Sequence, residues 1–304
     1  MPELPEVQTI VDDLNKKIVG RKITGVWFDA SKLIKKPKAR ELETRIKGLK
    51  IINVKRRGKN ILIYLKKCQM SGVKCQMFLL LIHQKMTGHL LYGKWGIKKV
   101  HRLRFIVKSF IKGPLEEKVN DYIHLIFYFD NGWQLALSDL RKFAKVLFGD
   151  KNEIEKLPDL AKIGPEPLGK NFKISKFKGL ISGEKGKIKQ VLMNQEVIAG
   201  IGNIYSDEIL WKAKIHPFKS AGELSVNELN GLYKATKEIL KKAVKLRGTS
   251  ISDYRDTVGK PGAYAKQRFV YRREGELCRR CKIIIKRVKI GGRSACFCPK
   301  CQKL

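Results

Sequence analysis

The residues best placed to do chemistry are the first few, Met1-Pro2-Glu3-Leu4-Pro5-Glu6-Val7. Methionine ahead of a small residue such as proline is ordinarily trimmed, which leaves Pro2 with a free secondary amine. The reference pKa of an α-amino group, about 8, lies well below the roughly 10.4 of lysine. More of it is therefore neutral at pH 7 and able to attack a carbon that becomes an iminium. Glu3 alongside can give or take the proton that such a step needs. The competing reading is structural: a proline-rich start that caps the first helix.

A second cluster lies at the other end. Cys278-x2-Cys281 is followed, after sixteen residues, by Cys298-x2-Cys301. Two such pairs at that separation can converge on one tetrahedral zinc ion. Between them, 283–290 and 293–297 predict a hairpin turned by Gly291-Gly292, and so small a unit has little core without its metal. Cys296 stands close enough to compete as a ligand, but Cys298-Pro299-Lys300-Cys301 makes the better knuckle. Cys68 and Cys75 flank a short polar loop and are expected to be free thiols. With seven cysteines and no export signal, metal ligands or free thiols are favoured over disulfides.

A third candidate is Val197-Ile198-Ala199-Gly200-Ile201-Gly202-Asn203-Ile204-Tyr205, a glycine turn between two predicted helices. Asn203 would open the second helix, where exposed amides and the helix dipole favour a phosphate. Lys185, Lys187 and Lys189, just upstream, strengthen that expectation against an ordinary helix cap.

Those residues need a scaffold. A length of 304 residues suggests about two domains, and 43% hydrophobic content is enough for real cores. Against 28 Asp+Glu stand 65 Lys+Arg, a net charge of +37 that makes a polyanion the expected partner. No apolar run is long enough to cross a membrane, so the protein is expected to be soluble and intracellular, cytoplasmic and nucleoid-associated. Helical spacing of Val7, Ile10, Val11, Leu14 and Ile18 predicts a first helix over 5–19. Strand-like segments follow at 22–29, 50–57, 61–66, 76–83, 102–108, 123–130 and 133–138, a pattern that suggests a β-sandwich. The proline-bearing stretch 151–170 reads as a linker. Helices are then predicted at 173–182, 187–194, 203–212 and 225–246, the last opened by the capping box Ser225-x2-Glu228.

Four separated segments together resemble the bacterial formamidopyrimidine-DNA glycosylases. They are the PELPEV start, Arg57-Gly58-Lys59-Asn60, the stretch IAGIGNIYSDEILW at 198–211, and the cysteine pairs with Gly292-Arg293 between them. The resemblance implies an α+β multidomain protein. It would have an N-terminal helix plus β-sandwich (1–148), a linker (149–172), a helix-two-turn-helix domain (173–265) and a four-cysteine zinc finger (266–304). It also implies one structural zinc, damaged double-stranded DNA as partner, no membrane, and a monomer. In that family's chemistry Pro2 attacks C1′ of the damaged nucleotide and Glu3 assists base loss. Lys59 matches a lysine that donates a proton in β-elimination. Arg293 matches an arginine that grips phosphates and is associated with δ-elimination.

An enzyme that everts a base must fill the hole it leaves. The resemblance gives that task to Met86, Arg141 and Phe143, and places Tyr122 where the family has a DNA-contacting histidine. Lys185, Lys189 and Asn203 are expected on the phosphates. The chain departs from the family at Leu140 and Ala144, where proline and glycine are usual, and at Ala295, where threonine is usual. The loop 253–262 resembles the segment that covers an everted 8-oxoguanine. Two alternatives stay open: an endonuclease VIII-like glycosylase for oxidised pyrimidines, disfavoured by Leu4 and the Met86, Arg141, Phe143 set, and a non-catalytic nucleic-acid-binding paralogue.

Overall fold

The computed structural model describes residues 1–68, 75–101, 104–251 and 254–304. They form two compact units: residues 1–2, 6–161 and 247–262, and residues 3–5, 162–246 and 263–304.

In the first unit, α1 (Leu4–Lys17) has Val7, Ile10, Val11 and Leu14 buried, as their spacing requires. The chain continues through β1 (Ile23–Phe28), β2 (Ile34–Lys36), α2 (Ala39–Ile46), β3 (Lys50–Arg57), β4 (Asn60–Cys68), β5 (Cys75–His83), β6 (Gly88–Gly93), β7 (Trp95–His101), β8 (Arg104–Ser109), β9 (Ile123–Phe129), β10 (Gln134–Asp139) and β11 (Lys145–Asp150). Two short helices, α3 (Lys151–Glu155) and α4 (Pro158–Ala161), close it. A four-stranded sheet, β1-β9-β10-β6, and a five-stranded sheet, β2-β11-β5-β4-β3, share one core. Val26, Leu90, Leu125, Phe127 and Leu137 meet Ile61, Ile63, Leu80, Ile82 and Phe148 there, the expected sandwich.

The short strands β2, β6, β7 and β11 escape the period-two pattern. In β6 and β11 burial on both faces makes the apolar run continuous and glycine-edged. Of the predicted strand 102–108, residues 102 and 103 lie outside the described residues. The expected linker is partly ordered, since α3 and α4 occupy its first half. Cys68 and Cys75 are not free thiols but a disulfide. The β4–β5 register, fixed by the alternation of buried side chains, sets them directly opposite with Cα atoms 4.0 Å apart.

Residues 247–249 and 254–257 are fastened to α1. Arg247 forks onto Asp13 and Asp256, the Thr249 amide donates to Glu6 (2.7 Å), and Thr257 donates to Asp13 (2.8 Å). Burial pushes the Asp13 carboxyl up, but Arg247 and Thr257 outweigh it and hold it below the ordinary carboxylate value. The loop expected to cover an everted base is thus tied down over 254–262, while Asp253 lies outside the described residues.

In the second unit, α5 (Ile174–Ser182), α6 (Ile188–Met193), α7 (Asn203–Ala213) and α8 (Val226–Lys245) surround one core. Ser225 and Glu228 form the expected capping box on α8. Helix α7 is buried all round from Tyr205 to Trp211, so its acids must be satisfied internally. Glu208 accepts the amides of Phe269, Val270 and Tyr271 and the Tyr264 hydroxyl. Strands β12 (Lys286–Ile290) and β13 (Arg293–Phe297) make the terminal hairpin, and both turn residues, Gly291 and Gly292, have positive φ (51° and 75°). Gln302 ties the hairpin unit back by accepting from the Cys298 amide and donating to the Ile215 carbonyl, each at 2.9 Å. Among the described residues no helix is long and apolar enough to cross a membrane.

Candidate functional site

The N-terminal carboxylate is held by the glycine turn. Glu3 is buried, and its two oxygens accept the amides of Gly202 (2.8 Å), Ile204 (2.9 Å) and Tyr205 (3.3 Å) at the start of α7. The Leu4 amide donates to the Gly200 carbonyl at 2.9 Å. The glycines are explained by that approach. A Cβ on Gly202 would lie 2.4 Å from the Glu3 carboxyl carbon, and one on Gly200, itself at φ +86°, 2.7 Å from Leu4 Cβ. The turn amides expected to take a phosphate are thus occupied by an internal anion. Asn203 opens α7 as expected, and its Oδ1 is buried without a partner. Burial first, and the Glu3 charge second, push the nearby Tyr271 hydroxyl above its ordinary pKa.

Of the two site lysines expected on this unit, Lys185 is exposed. Lys189 is not available to a phosphate: it is 1% exposed and its ammonium is bonded to Asp207. The physical reason is that α7 buries Asp207, which requires a buried cation. Burial pushes the Asp207 carboxyl up to about 7, against the pull of Lys189 and of the Cys296 amide at 2.9 Å. Arg293 is exposed beside the Gly291-Gly292 turn, on a cleft of about 230 Å³ that Gln190, Met193, Asn194 and Ile290 also line.

In the first unit, Lys59 sits with Gly58 in the two-residue turn between β3 and β4 and is buried. Its charge and that of Lys85 add to burial, the largest cause, in lowering the pKa of His83 to about 3. Met86, in the loop between β5 and β6, and Phe143, between β10 and β11, are 45% and 50% exposed. The Arg141 guanidinium lies 4.5 Å from the Phe143 ring centroid. Tyr122 precedes β9, and its carbonyl accepts the Asp139 amide at 2.7 Å.

One residue not singled out from the sequence organises these loops. Asp139, fully buried, accepts the Thr87 hydroxyl and the amides of Arg141 (3.3 Å), Phe143 (2.7 Å) and Ala144 (2.7 Å). Thr87 also accepts the Arg141 amide at 3.2 Å. Asp139, Asp207 and Glu208 all work by accepting amides that are distant or irregular in conformation, and no spacing rule reveals that.

The sulfurs of Cys278, Cys281, Cys298 and Cys301 all lie within 4.8 Å of one another. A tetrahedral zinc with Zn–S bonds of about 2.3 Å needs sulfurs roughly 3.8 Å apart, so the four residues fit one structural zinc ion. The Trp211 indole and the Arg280 amide each donate to Cys278 at 3.4 Å. Burial opposes ionisation of that thiol, but these donors and the Cys281 amide bring it down to about 6, which suits a metal-bound thiolate. Cys296 is not in the cluster; burial and Asp207 push its thiol up to about 11.

Three family models match: the formamidopyrimidine-DNA glycosylase N-terminal domain over residues 1–146, the formamidopyrimidine-DNA glycosylase H2TH domain over 163–255, and the zinc finger found in FPG and IleRS over 275–304. A formamidopyrimidine-DNA glycosylase of Desulforamulus reducens is 37% identical over 304 residues, covering 100% of this chain and 99% of the relative. A structure of MutM in complex with DNA containing carbocyclic 8-oxo-G superposes with a TM-score of 0.82 at 32% identity, over 100% of both chains. A Lactococcus lactis FPG mutant bound to Fapy-dG DNA gives 0.83 at 31%, again over 100% of both.

Two outcomes follow from this geometry. Asp139→Ala should destabilise the protein by about 3 kcal/mol, because each buried donor left unpaired costs ~1–3 kcal/mol. The Arg141, Phe143 and Ala144 amides should then exchange with solvent well before global unfolding; unchanged exchange and stability would remove Asp139 from this role. Cys281→Ser, or chelation, should release the metal and unfold the terminal hairpin, since such sites supply ~10 kcal/mol or more. Metal analysis finding no zinc in protein purified without chelator would contradict the assignment.

Proposed function

Because the chain belongs to the formamidopyrimidine-DNA glycosylase family, we infer that it is a DNA-repair enzyme that excises oxidised purines, 8-oxoguanine and formamidopyrimidines, from duplex DNA. It then cleaves the strand as a lyase. The observation that carries the reading is Glu3, buried beside Pro2 in sequence and clamped on three amides of α7.

The neutral Pro2 amine attacks C1′ of the damaged nucleotide. The N–C1′ bond forms, the glycosidic bond breaks with its electron pair going to the base, and the proton shed by the Pro2 nitrogen passes by way of solvent to the departing base. Glu3 carries a proton to the sugar ring oxygen as the ring opens, which leaves an iminium on Pro2. The iminium acidifies the adjacent C2′ position; a C2′ proton passes to solvent, the C3′–O bond breaks, and its electron pair leaves with the 3′ phosphate, to which Lys59 supplies a proton. Arg293 holds the phosphates for the δ-elimination that follows. Zinc, when bound, fixes the hairpin that presents Arg293 and takes no part in the bond changes.

Met86, Arg141 and Phe143 are the side chains that fill the helix after eversion. Two of them are exposed apolar groups on loops that Asp139 stiffens, as a wedge requires. Lys185 and Asn203 are assigned to the phosphates, and Tyr122 to the strand beside the lesion. Lys189 is left out because its charge is already paired. This trio and Leu4 favour purines over the pyrimidine-preferring alternative, and the set of Pro2, Glu3, Lys59 and Arg293 favours an enzyme over a binding-only protein. One chain carries every residue invoked, so we assign a monomer acting on chromosomal DNA in the cytoplasm.

Borohydride should covalently trap the processed protein on duplex containing 8-oxoguanine opposite cytosine, because it reduces an iminium to a stable amine. Protein that retains Met1 should bind the same duplex without being trapped. Undiminished trapping by protein shown to retain Met1 would rule out Pro2.

A further inference from the structure

Between Lys94 and Lys112 the sequence carries Lys94, Lys98, Lys99, Arg102, Arg104, Lys108 and Lys112 and no acidic residue. Elsewhere some surface lysines are paired, as in Lys36–Glu153, Lys145–Asp159, Lys212–Glu238 and Lys219–Glu228, but with 65 Lys+Arg against 28 Asp+Glu most cannot be, and what marks this segment is that it holds no acid at all. Among the described residues Lys98, Lys99, Lys108 and Lys112 have no carboxylate partner, and all four are exposed. The segment forms the separate hairpin β7–β8, which belongs to neither sheet of the sandwich.

One face of that ribbon is used for packing. Phe105 meets Trp27 edge-on at 5.5 Å, and Ile97 and Val107 pack with Leu91, Ile126 and Ala136 on the outer face of the four-stranded sheet. The opposite face carries Lys98 and Lys108, with Ile106 and Phe110 exposed among them (39% and 72%). A Cβ on Gly96 would lie 2.5 Å from the tip of the Phe110 ring, so glycine there leaves room for the ring to reach across to β7.

We propose that the β7–β8 hairpin is a second DNA-contacting element, which grips duplex phosphates flanking the lesion. The proposal rests on the reading of this protein as a DNA glycosylase and extends its substrate contact beyond the lesion. Continuity within the first unit supports it. Strand β6 starts at Gly88, directly after the Met86 loop, and delivers the chain to the hairpin root at Lys94. Six residues of strand span about 20 Å at roughly 3.3 Å each, or about six steps of a duplex rising 3.4 Å per nucleotide. A two-stranded ribbon has the width that a major groove admits. Its lysines would meet phosphates, and Ile106 and Phe110 the less polar sugars between them.

The test is the salt dependence of binding to lesion duplexes by the full protein and by the double variant Lys98→Gln, Lys108→Gln. Each neutralised phosphate contributes about −0.9 to the slope of log K against log salt. On a duplex extending well beyond the lesion, the variant's slope should be shallower by about 2 units. On one with only about five base pairs on each side, the two proteins should match, because the flanking phosphates are missing. Excision by enzyme in saturating excess should be unchanged, which also shows that the variant is folded. Equal slopes on the long duplex would overturn the proposal. The lysines would then merely keep an exposed ribbon from pairing with other chains, or serve a protein or membrane partner. Failure of the unmodified protein to excise any oxidised base would instead fail the glycosylase reading, whatever the slopes.

Discussion

A single carboxylate anchors the start of this chain. Glu3 takes three amides that the first turn of α7 would otherwise leave unsatisfied, and the helix dipole adds to the attraction. Leu4 follows it into the helical core. Pro2 is therefore joined by one peptide bond to an anchored residue, which limits where its nitrogen can go. The same helix, farther along, holds the zinc unit through Asp207 on the Cys296 amide, Glu208 on residues 269–271, and Trp211 on Cys278. The polar residues of α7 are thus acceptors for irregular backbone on either side of it, which is why a helix so thoroughly buried carries two acids.

The same device recurs in the first unit. Asp139 gathers the two loops that carry Met86, Arg141 and Phe143, and Glu6 holds the Thr249 amide. In a chain with 65 cations and 28 acids, Glu3, Glu6, Asp139, Asp207, Glu208 and Asp256 are all buried. The acids missing from the surface leave it more positive than the net charge alone implies. A polyanion is attracted at long range by the whole surface, within a screening length of ~10 Å at 0.1 M salt, while the contacts that fix it are few.

Much of this was legible in advance. Apolar spacing located α1 and most of the sandwich strands, Ser225-x2-Glu228 marked the start of α8, and the cysteine spacing gave the zinc ligands, because each follows from a local period or a fixed ligand geometry. The glycine turn at 200–202 stands out in the sequence, but its exposed amides point to a phosphate. The group they hold is Glu3, nearly two hundred residues away, and no local rule couples those positions. Lys189 misled for a similar reason: in sequence it is one more cation, and only the burial of Asp207 shows that its charge is already neutralised. The Cys68–Cys75 disulfide depended on strand register, and Asp139 on backbone amides in irregular loops, neither of which has a periodic signature.

The central claim is that the Gly202 turn positions Glu3, and through it Pro2, for reaction. Single-turnover base excision by Gly202→Ala, with enzyme in saturating excess over lesion duplex, tests it most directly. The added methyl group has no room beside the Glu3 carboxylate, so excision should fall by about 100-fold or more, the lower range of what general acid–base groups contribute. Lesion affinity should change little, while the thermal transition should fall, since a displaced Glu3 leaves amides of α7 without their acceptor. Excision within twofold of the unsubstituted protein would show that the carboxylate need not sit on α7, and the account of the site would have to be abandoned.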